Sequence, residues 1–167
     1  SVYMRKFAVA KGYEDKGVNL PKRATKNAAG YDFEAIEDVV IPSIWSSSSR
    51  KRRKVGQPDV VAGTYVHTGV KAYMGTEEFL GLYSRSSNYN KKGLILANSV
   101  GVGDADYVDN PDNDGELIFN FINFGFDDIL IKKGERIGQG IFQPFLKTDD
   151  DESEAERNGG FGSTNTP

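Results

Sequence analysis

Apolar residues along this chain fall in short runs closed by turn signals, the pattern of β-strands rather than helices. Val39-Val40-Ile41 is stopped by Pro42. Thr64–Thr68 and Val70–Met74 read as strands around Gly69. Phe79–Ser84 is a further strand, and Leu117–Phe124 is long, apolar and aromatic, as a buried strand would be. Asp128–Ile131 and Arg136–Phe142 follow, separated by a turn at Lys133-Gly134. The only helical signal is a turn near Ser87–Lys91. Many short strands at regular spacing predict an all-β sandwich or barrel.

Composition narrows the chemistry. With 167 residues the chain suits one domain, large enough to bury a core without staples. It has no Cys and one His, which excludes disulfides, Cys-based zinc sites, thiol nucleophiles and any His pair. The 19 glycines, with ten Phe and eight Tyr, fit turns between strands. Net charge is −3, which argues against a globally basic nucleic-acid binder. No run approaches the roughly 18 apolar residues of a membrane span. The opening residues have no signal-peptide character, so a cytoplasmic protein is expected.

Charge is unevenly placed. Arg50-Lys51-Arg52-Arg53-Lys54 is a basic run. One acidic segment spans Asp104 to Glu116 and another Asp149 to Glu156. The basic run matches a nuclear-localisation or nucleic-acid patch, but no aromatic residue interleaves it, and a solvated loop explains it better. The expected organisation is a β domain over 1–147, with an inserted surface loop at 46–58, and a mobile, acidic then Gly-rich arm at 148–167.

Several segments carry candidate chemistry. Asn110–Gly115 resembles half of an EF-hand loop, but position 12 would be Phe121 where a bidentate Glu is required, so a polar hairpin tip is expected. Gly101-Val102-Gly103 lacks the third glycine and the helix of a dinucleotide fingerprint. Alternation would put Asp104 and Asp106 on one face of a strand or hairpin arm, able to hold a metal or activate water; a solvated hairpin is the plainer reading. Ser84-Arg85-Ser86-Ser87 ends a strand with hydroxyls around an arginine, suited to phosphate, or forms an ordinary turn. Phe161 stands alone among glycines in a polar tail, so it docks on something or belongs to a disordered end.

Together these segments resemble the trimeric dUTPases (dUTP nucleotidohydrolases). Five motifs follow in order: Ala28-Ala29-Gly30-Tyr31-Asp32; Ser84-Arg85-Ser86-Ser87; Asn98 through Tyr107; Gly134-Glu135-Arg136-Ile137-Gly138-Gln139; and Arg157 with Gly159-Gly160-Phe161-Gly162-Ser163-Thr164. The resemblance covers about Pro21 to Thr164. It implies a distorted jelly-roll (β-clip) domain forming a homotrimer, each site drawing on three subunits, with the C-terminal arm closing over a neighbour. The implied reaction is dUTP plus water to dUMP and pyrophosphate, with Mg²⁺ on the triphosphate.

By the same resemblance, Asp104 deprotonates the water that attacks the α-phosphorus. Tyr107 packs on the deoxyribose and leaves no room for a 2′-hydroxyl. Asn98 and the backbone around Gly101 read the uracil edge. Arg85, Ser86, Ser87 and Gln139 bind phosphates, and Arg157, Ser163 and Thr164 hold the terminal ones. Phe161, followed by Gly162, covers the base. Asp32 acts near the metal through water.

Departures from the family pattern are specific. Gly103 replaces the usual aliphatic residue before the aspartate, which would free the backbone at Asp104. Val108–Asp114 extends the segment after Tyr107. Gly138 and Gly140 stand where larger residues are usual. Gly103 and the two inserted loops, at 46–58 and 108–114, with a similarity to phage-type members, keep open a dUTPase-like regulatory protein that captures a repressor or other partner. A dCTP deaminase shares the fold, and the Phe161 arm and Asp-Ala-Asp-Tyr segment argue against it.

Overall fold

The computed structural model describes residues 4–46, 50–51 (backbone only), 55–56 and 58–157. Among them the strands are β1 (Lys6–Val9), β2 (Lys22–Arg23), β3 (Tyr31–Glu34), β4 (Val39–Ile41), β5 (Arg50–Lys51), β6 (Val60–Val61), β7 (Thr64–His67), β8 (Val70–Tyr73), β9 (Glu78–Tyr83), β10 (Leu94–Leu96), β11 (Gly101–Gly103), β12 (Ile118–Asn123), β13 (Ile129–Ile131) and β14 (Arg136–Pro144). One short helix, α1 (Ser87–Lys92), and a 3₁₀ turn at Ala105–Tyr107 complete the description. The chain is nearly all β, as the strand pattern predicted. No helix among the described residues is long and apolar enough to cross a membrane.

The principal sheet has the order β11-β9-β14-β3-β2, and a second has β10-β12-β7. Two-stranded ribbons β1-β8, β13-β4 and β5-β6 flank them, and every ladder is antiparallel. The core lies between the two larger sheets. Phe33 of β3 meets Phe119 of β12 edge-on, ring centroids 5.5 Å apart, and Phe119 stacks on Phe121 at 6.2 Å. All three rings are buried, with Leu80, Leu94, Ile131 and Ile137 around them. Burying each such side chain stabilises the fold by about 1.5–3 kcal/mol.

The unusual glycines of β14 belong to this packing. A Cβ on Gly138 would lie 2.2 Å from the Phe119 ring, and one on Gly140 would lie 2.8 Å from the Phe33 ring. Large aromatic rings on the facing strands therefore take the space that side chains on β14 would fill. Gly103, the other departure, is buried in the ladder opposite Leu80. Its pairing places the backbone leading into Asp104 in the β11–β9 ladder.

Several local expectations need correction. Thr64–His67 and Val70–Tyr73 are strands, but they do not pair with each other: β7 joins β12 and β8 joins β1. Gly69, at φ 70°, turns the chain from one sheet to another. Leu117–Phe124 alternates rather than being buried on both faces, with Phe119, Phe121 and Asn123 inward. The segment after Tyr107 folds on itself through Asp109 N–H to Asp114 O (3.1 Å) and Asp114 N–H to Asn110 O (2.7 Å). It is no hairpin tip, because β11 and β12 lie in different sheets. Asp104 and Asp106 do not alternate along a strand; Tyr107 N–H bonds Asp104 O at 3.1 Å and closes the 3₁₀ turn. Part of the 46–58 loop pairs as the β5-β6 ribbon. The basic residues 52–54 of that loop lie outside the described residues.

Candidate active site

The sequence-selected residues gather in two clusters. The first lies across the middle of the principal sheet, where Asp32 of β3 stands opposite Gln139 of β14, which in turn faces Tyr83 at the end of β9. Gln139 Nε2 donates to Ser84 O at 3.1 Å. Arg85 Nε lies 3.6 Å from Asp32 Oδ1, and Arg85 Nη1 donates to Arg136 O at 3.3 Å. Gly30 makes room for this arrangement, because a Cβ there would fall 2.1 Å from Gln139 Oε1.

Ser84-Arg85-Ser86-Ser87 forms the entry to α1. Ser86 is exposed at the N-cap position, and its side chain makes no cap hydrogen bond. Ser87 opens the helix. The turn is held instead by Asn88, which is buried and donates from Nδ2 to Ser84 Oγ and to Ile137 O, both at 2.9 Å. Sequence reasoning passed over Asn88, since a lone Asn after serines carries no signal of burial. At the other end of α1, Gly93 adopts φ 69° and its N–H caps the helix.

The second cluster follows β10. Asn98 is exposed in the turn that joins β10 to β11. Gly101 opens β11 opposite Leu82. Asp104 lines a cleft of about 480 Å³ with Asp106, Phe145, Lys147 and Arg157. Arg157 Nη2 donates to Asp104 Oδ2 at 2.5 Å, and its Nε donates to Asp106 Oδ1 at 2.8 Å. The arginine side chain is 16% exposed whereas those of Asp104 and Asp106 are 48% and 60% exposed. The carboxylates thus present oxygen atoms to solvent while one guanidinium offsets half of their charge.

Tyr107 is half-buried. Its hydroxyl donates to Glu116 O at 2.9 Å and accepts from Asn113 Nδ2 at 2.7 Å. Burial raises its pKa, against the effect of the Asn113 hydrogen bond. Phe161, Gly162, Ser163 and Thr164 lie outside the described residues.

Gly101, opposite Leu82, brings the second cluster beside the first, but Asp104 and Arg85 stay apart within one chain. Gly103, beside Asp104, pairs with Leu80, whereas Arg85 lies five residues further along the same run. At about 3.3 Å per strand residue, that places these two residues roughly 16 Å apart along the run. Among the described residues no group of three or more His, Asp or Glu side chains could hold a metal ion. Asp32 is a single carboxylate beside Arg85. That donor set fits an Mg²⁺ held mainly by phosphate oxygens, with one protein carboxylate nearby.

Comparison with known proteins agrees with the motifs. A profile of the dUTPase family matches residues 16–165. The deoxyuridine 5′-triphosphate nucleotidohydrolase of Lactococcus lactis subsp. lactis (strain IL1403) is 45% identical over 163 residues, covering 96% of this chain and 97% of that protein. A crystal structure of dUTPase from Streptococcus mutans superposes with a TM-score of 0.72 at 40% identity, covering 87% of this chain and 99% of that one. A dUTPase from Staphylococcus bacteriophage 80alpha shares the fold at 19% identity and a TM-score of 0.65, over 92% of this chain and 98% of that one. With the five motifs in order on a matching β scaffold, the chain belongs to the dUTPase family.

Proposed function

We propose that this protein hydrolyses dUTP to dUMP and pyrophosphate, working as a homotrimer. The observation that carries the reading is the contact of Arg157 with Asp104 within one chain, which brings residues of the third and fifth motifs to one cleft; the family resemblance puts the same arm on a neighbour's site. Asp104 then serves as the base. Its carboxylate takes a proton from water as the water oxygen bonds to the α-phosphorus, and the bond from that phosphorus to the bridging oxygen breaks, releasing pyrophosphate. Tyr107 packs on the deoxyribose, and Asn98 with the backbone at Gly101 reads the uracil edge. Arg85, Ser86, Ser87 and Gln139 bind phosphates, and Arg157 with Ser163 and Thr164 holds the terminal ones. Phe161 and Gly162 cover the base.

The separation of Asp104 from Arg85 along β9 supports the trimer, because a second chain can bring Arg85 to the first chain's Asp104. The division at 147/148, with 148–167 acting as a closing arm, is part of the same proposal. A chain of net charge −3 that takes a tetra-anion needs added positive charge. Mg²⁺ supplies charge neutralisation on the triphosphate, with Asp32 near it through water. A phage phi11 dUTPase mutant of S. aureus, 17% identical with a TM-score of 0.65, has been described with a structural Mg(II) ion.

One assay tests the reading. Purified protein with Mg²⁺ should release pyrophosphate from dUTP at least about a hundredfold faster than from dTTP, dCTP or UTP. No release from dUTP overturns it, and ammonia from dCTP points to a deaminase.

A second, compatible reading is a regulatory partner. Trp45, just before the 46–58 loop, and Phe126, between β12 and β13, stack with centroids 6.2 Å apart while 67% and 86% exposed. Phage dUTPases of the 80alpha type have been described as controlling transfer of virulence genes. Capture of a protein partner that is lost on Trp45→Ala, with dUTP turnover unchanged, supports this role; unchanged capture removes it.

A further inference from the structure

We propose that the extension after Tyr107 is a clamp that fixes the tyrosine ring, with Asn113 as a positioning residue for discrimination against the 2′-hydroxyl. The inference rests on the reading above that Tyr107 packs on the deoxyribose.

The clamp is built in three steps. The Tyr107 hydroxyl is saturated along two directions, donating to Glu116 O and accepting from Asn113 Nδ2. Asn113 is itself oriented, because its Oδ1 accepts from Gly115 N–H at 3.0 Å and its backbone O accepts from Glu116 N–H at 3.1 Å. One amide side chain therefore spans the turn and the phenol.

Glu116 anchors one end of the turn in the core. Its side chain is buried and accepts from Gly69 N–H at 2.9 Å and from the Tyr13 hydroxyl at 3.1 Å, with His67 Nδ1 at 3.0 Å. Lys71 of β8 anchors the other side, with Nζ 2.7 Å from Asp109 and 2.8 Å from Asp114. Tyr73 donates to Asp109 at 2.9 Å, and Lys11 N–H donates to Asp114 at 2.7 Å. The left-handed residues Asp109, Asp114 and Gly115 fold the extension tightly enough for these bonds to form together. Acidic residues that look like a solvated tip in sequence are mostly engaged on the domain.

Rigidity matters because a 2′-hydroxyl is one heavy atom. A ring that excludes it by contact must be held to about 0.5 Å, and a ring free to yield by more admits it. A pocket wall that only packs against sugar discriminates weakly unless it cannot move.

The test measures kcat/KM for dUTP and UTP in the full-length protein. Asn113→Ala deletes the amide and with it the donor to Tyr107. It should raise the UTP-to-dUTP ratio roughly three- to tenfold, the size of one lost hydrogen bond. Tyr107→Phe should raise it too, and adding Asn113→Ala to Tyr107→Phe should change it no further, because Asn113 acts through the phenol hydroxyl. Thermal melts separate selectivity from unfolding. An unchanged ratio in folded Asn113→Ala, or effects that multiply in the double variant, overturns the clamp while leaving the dUTPase reading intact. A wild-type protein inactive on dUTP overturns both.

Discussion

Arg157 closes on Asp104 with its Nη2 2.5 Å from Oδ2, and the same guanidinium reaches Asp106 through Nε at 2.8 Å. The residue that opens the C-terminal motif is therefore already seated at the proposed base. Asp104 at 48% exposure also keeps oxygen available for water.

Replacing that base should separate binding from chemistry. Asp104→Asn retains shape and a hydrogen-bonding oxygen but accepts no proton. Pyrophosphate release should fall by roughly 10²–10⁴-fold. Titration with a non-hydrolysable dUTP analogue should still show binding. Turnover at the wild-type rate would exclude Asp104 as the base.

Removing the arm should leave the assembly whole. A chain ending at Glu156 loses Arg157 and the Phe161 segment but none of the strands. Turnover should drop roughly 10²-fold or more, by loss of groups on the terminal phosphates. Light scattering should report the mass of the full-length assembly. Dissociation to monomers contradicts the arm model.

Two glycine substitutions should have opposite signatures. Gly30→Ala pushes on Gln139, whose Oε1 and Cβ would lie 2.1 and 3.1 Å from the new methyl. Gln139 must leave Ser84 O, and kcat/KM for dUTP should fall roughly 3- to 30-fold with a small change in Tm. Gly138→Ala pushes on the buried Phe119 ring instead. It should destabilise by about 1–3 kcal/mol in urea unfolding. A stable Gly138→Ala protein would mean that the Phe119 ring has room to retreat.

The Lys71 anchor should show a defined pH window. Burial opposes the charge of Lys71, but hydrogen bonds to Asp109, Asp114 and Tyr73 outweigh it and raise the pKa above the usual 10.5. Lys71 in turn holds Asp114 below its usual 3.8. A depressed acid adds stability above its ordinary pKa and loses it as pH falls through the depressed one. A raised base adds stability below its ordinary pKa and loses it as pH rises through the raised one. Lys71→Met should therefore lower Tm by roughly 2–5 °C between pH 5 and 9. The gap from wild type should close as pH falls below about 3. A gap independent of pH would assign the effect to lost packing.

Much of the fold was legible because strands announce themselves locally. Val39–Ile41, Phe79–Ser84 and Arg136–Phe142 carry apolar runs between turn signals, and each is a strand. Tyr31–Glu34, Leu94–Leu96 and Gly101–Gly103 escaped, the first because acids interrupt it and the last because glycines carry no pattern. Pairing was not legible at all: the strands on either side of Gly69 belong to different sheets. The site followed the same division. Asp32, Arg85, Gln139, Asp104 and Tyr107 stood out through motif order. Asn88, Asn113 and Glu116 did not, because their importance lies in which distant backbone groups they bond. Gly138 and Gly140 read as defects until Phe119 and Phe33 faced them.

Asp104 and Arg85 flank the same run of β9 yet point to different ends of it. In a trimer, that arrangement makes damage at the two ends complementable. Asp104→Asn chains and Arg85→Ala chains, each inactive alone, should regain turnover when unfolded together and allowed to assemble as mixtures. Some of the resulting sites would draw an intact aspartate from one parent and an intact arginine from the other. Activity in the mixture would then count the chains that build one site.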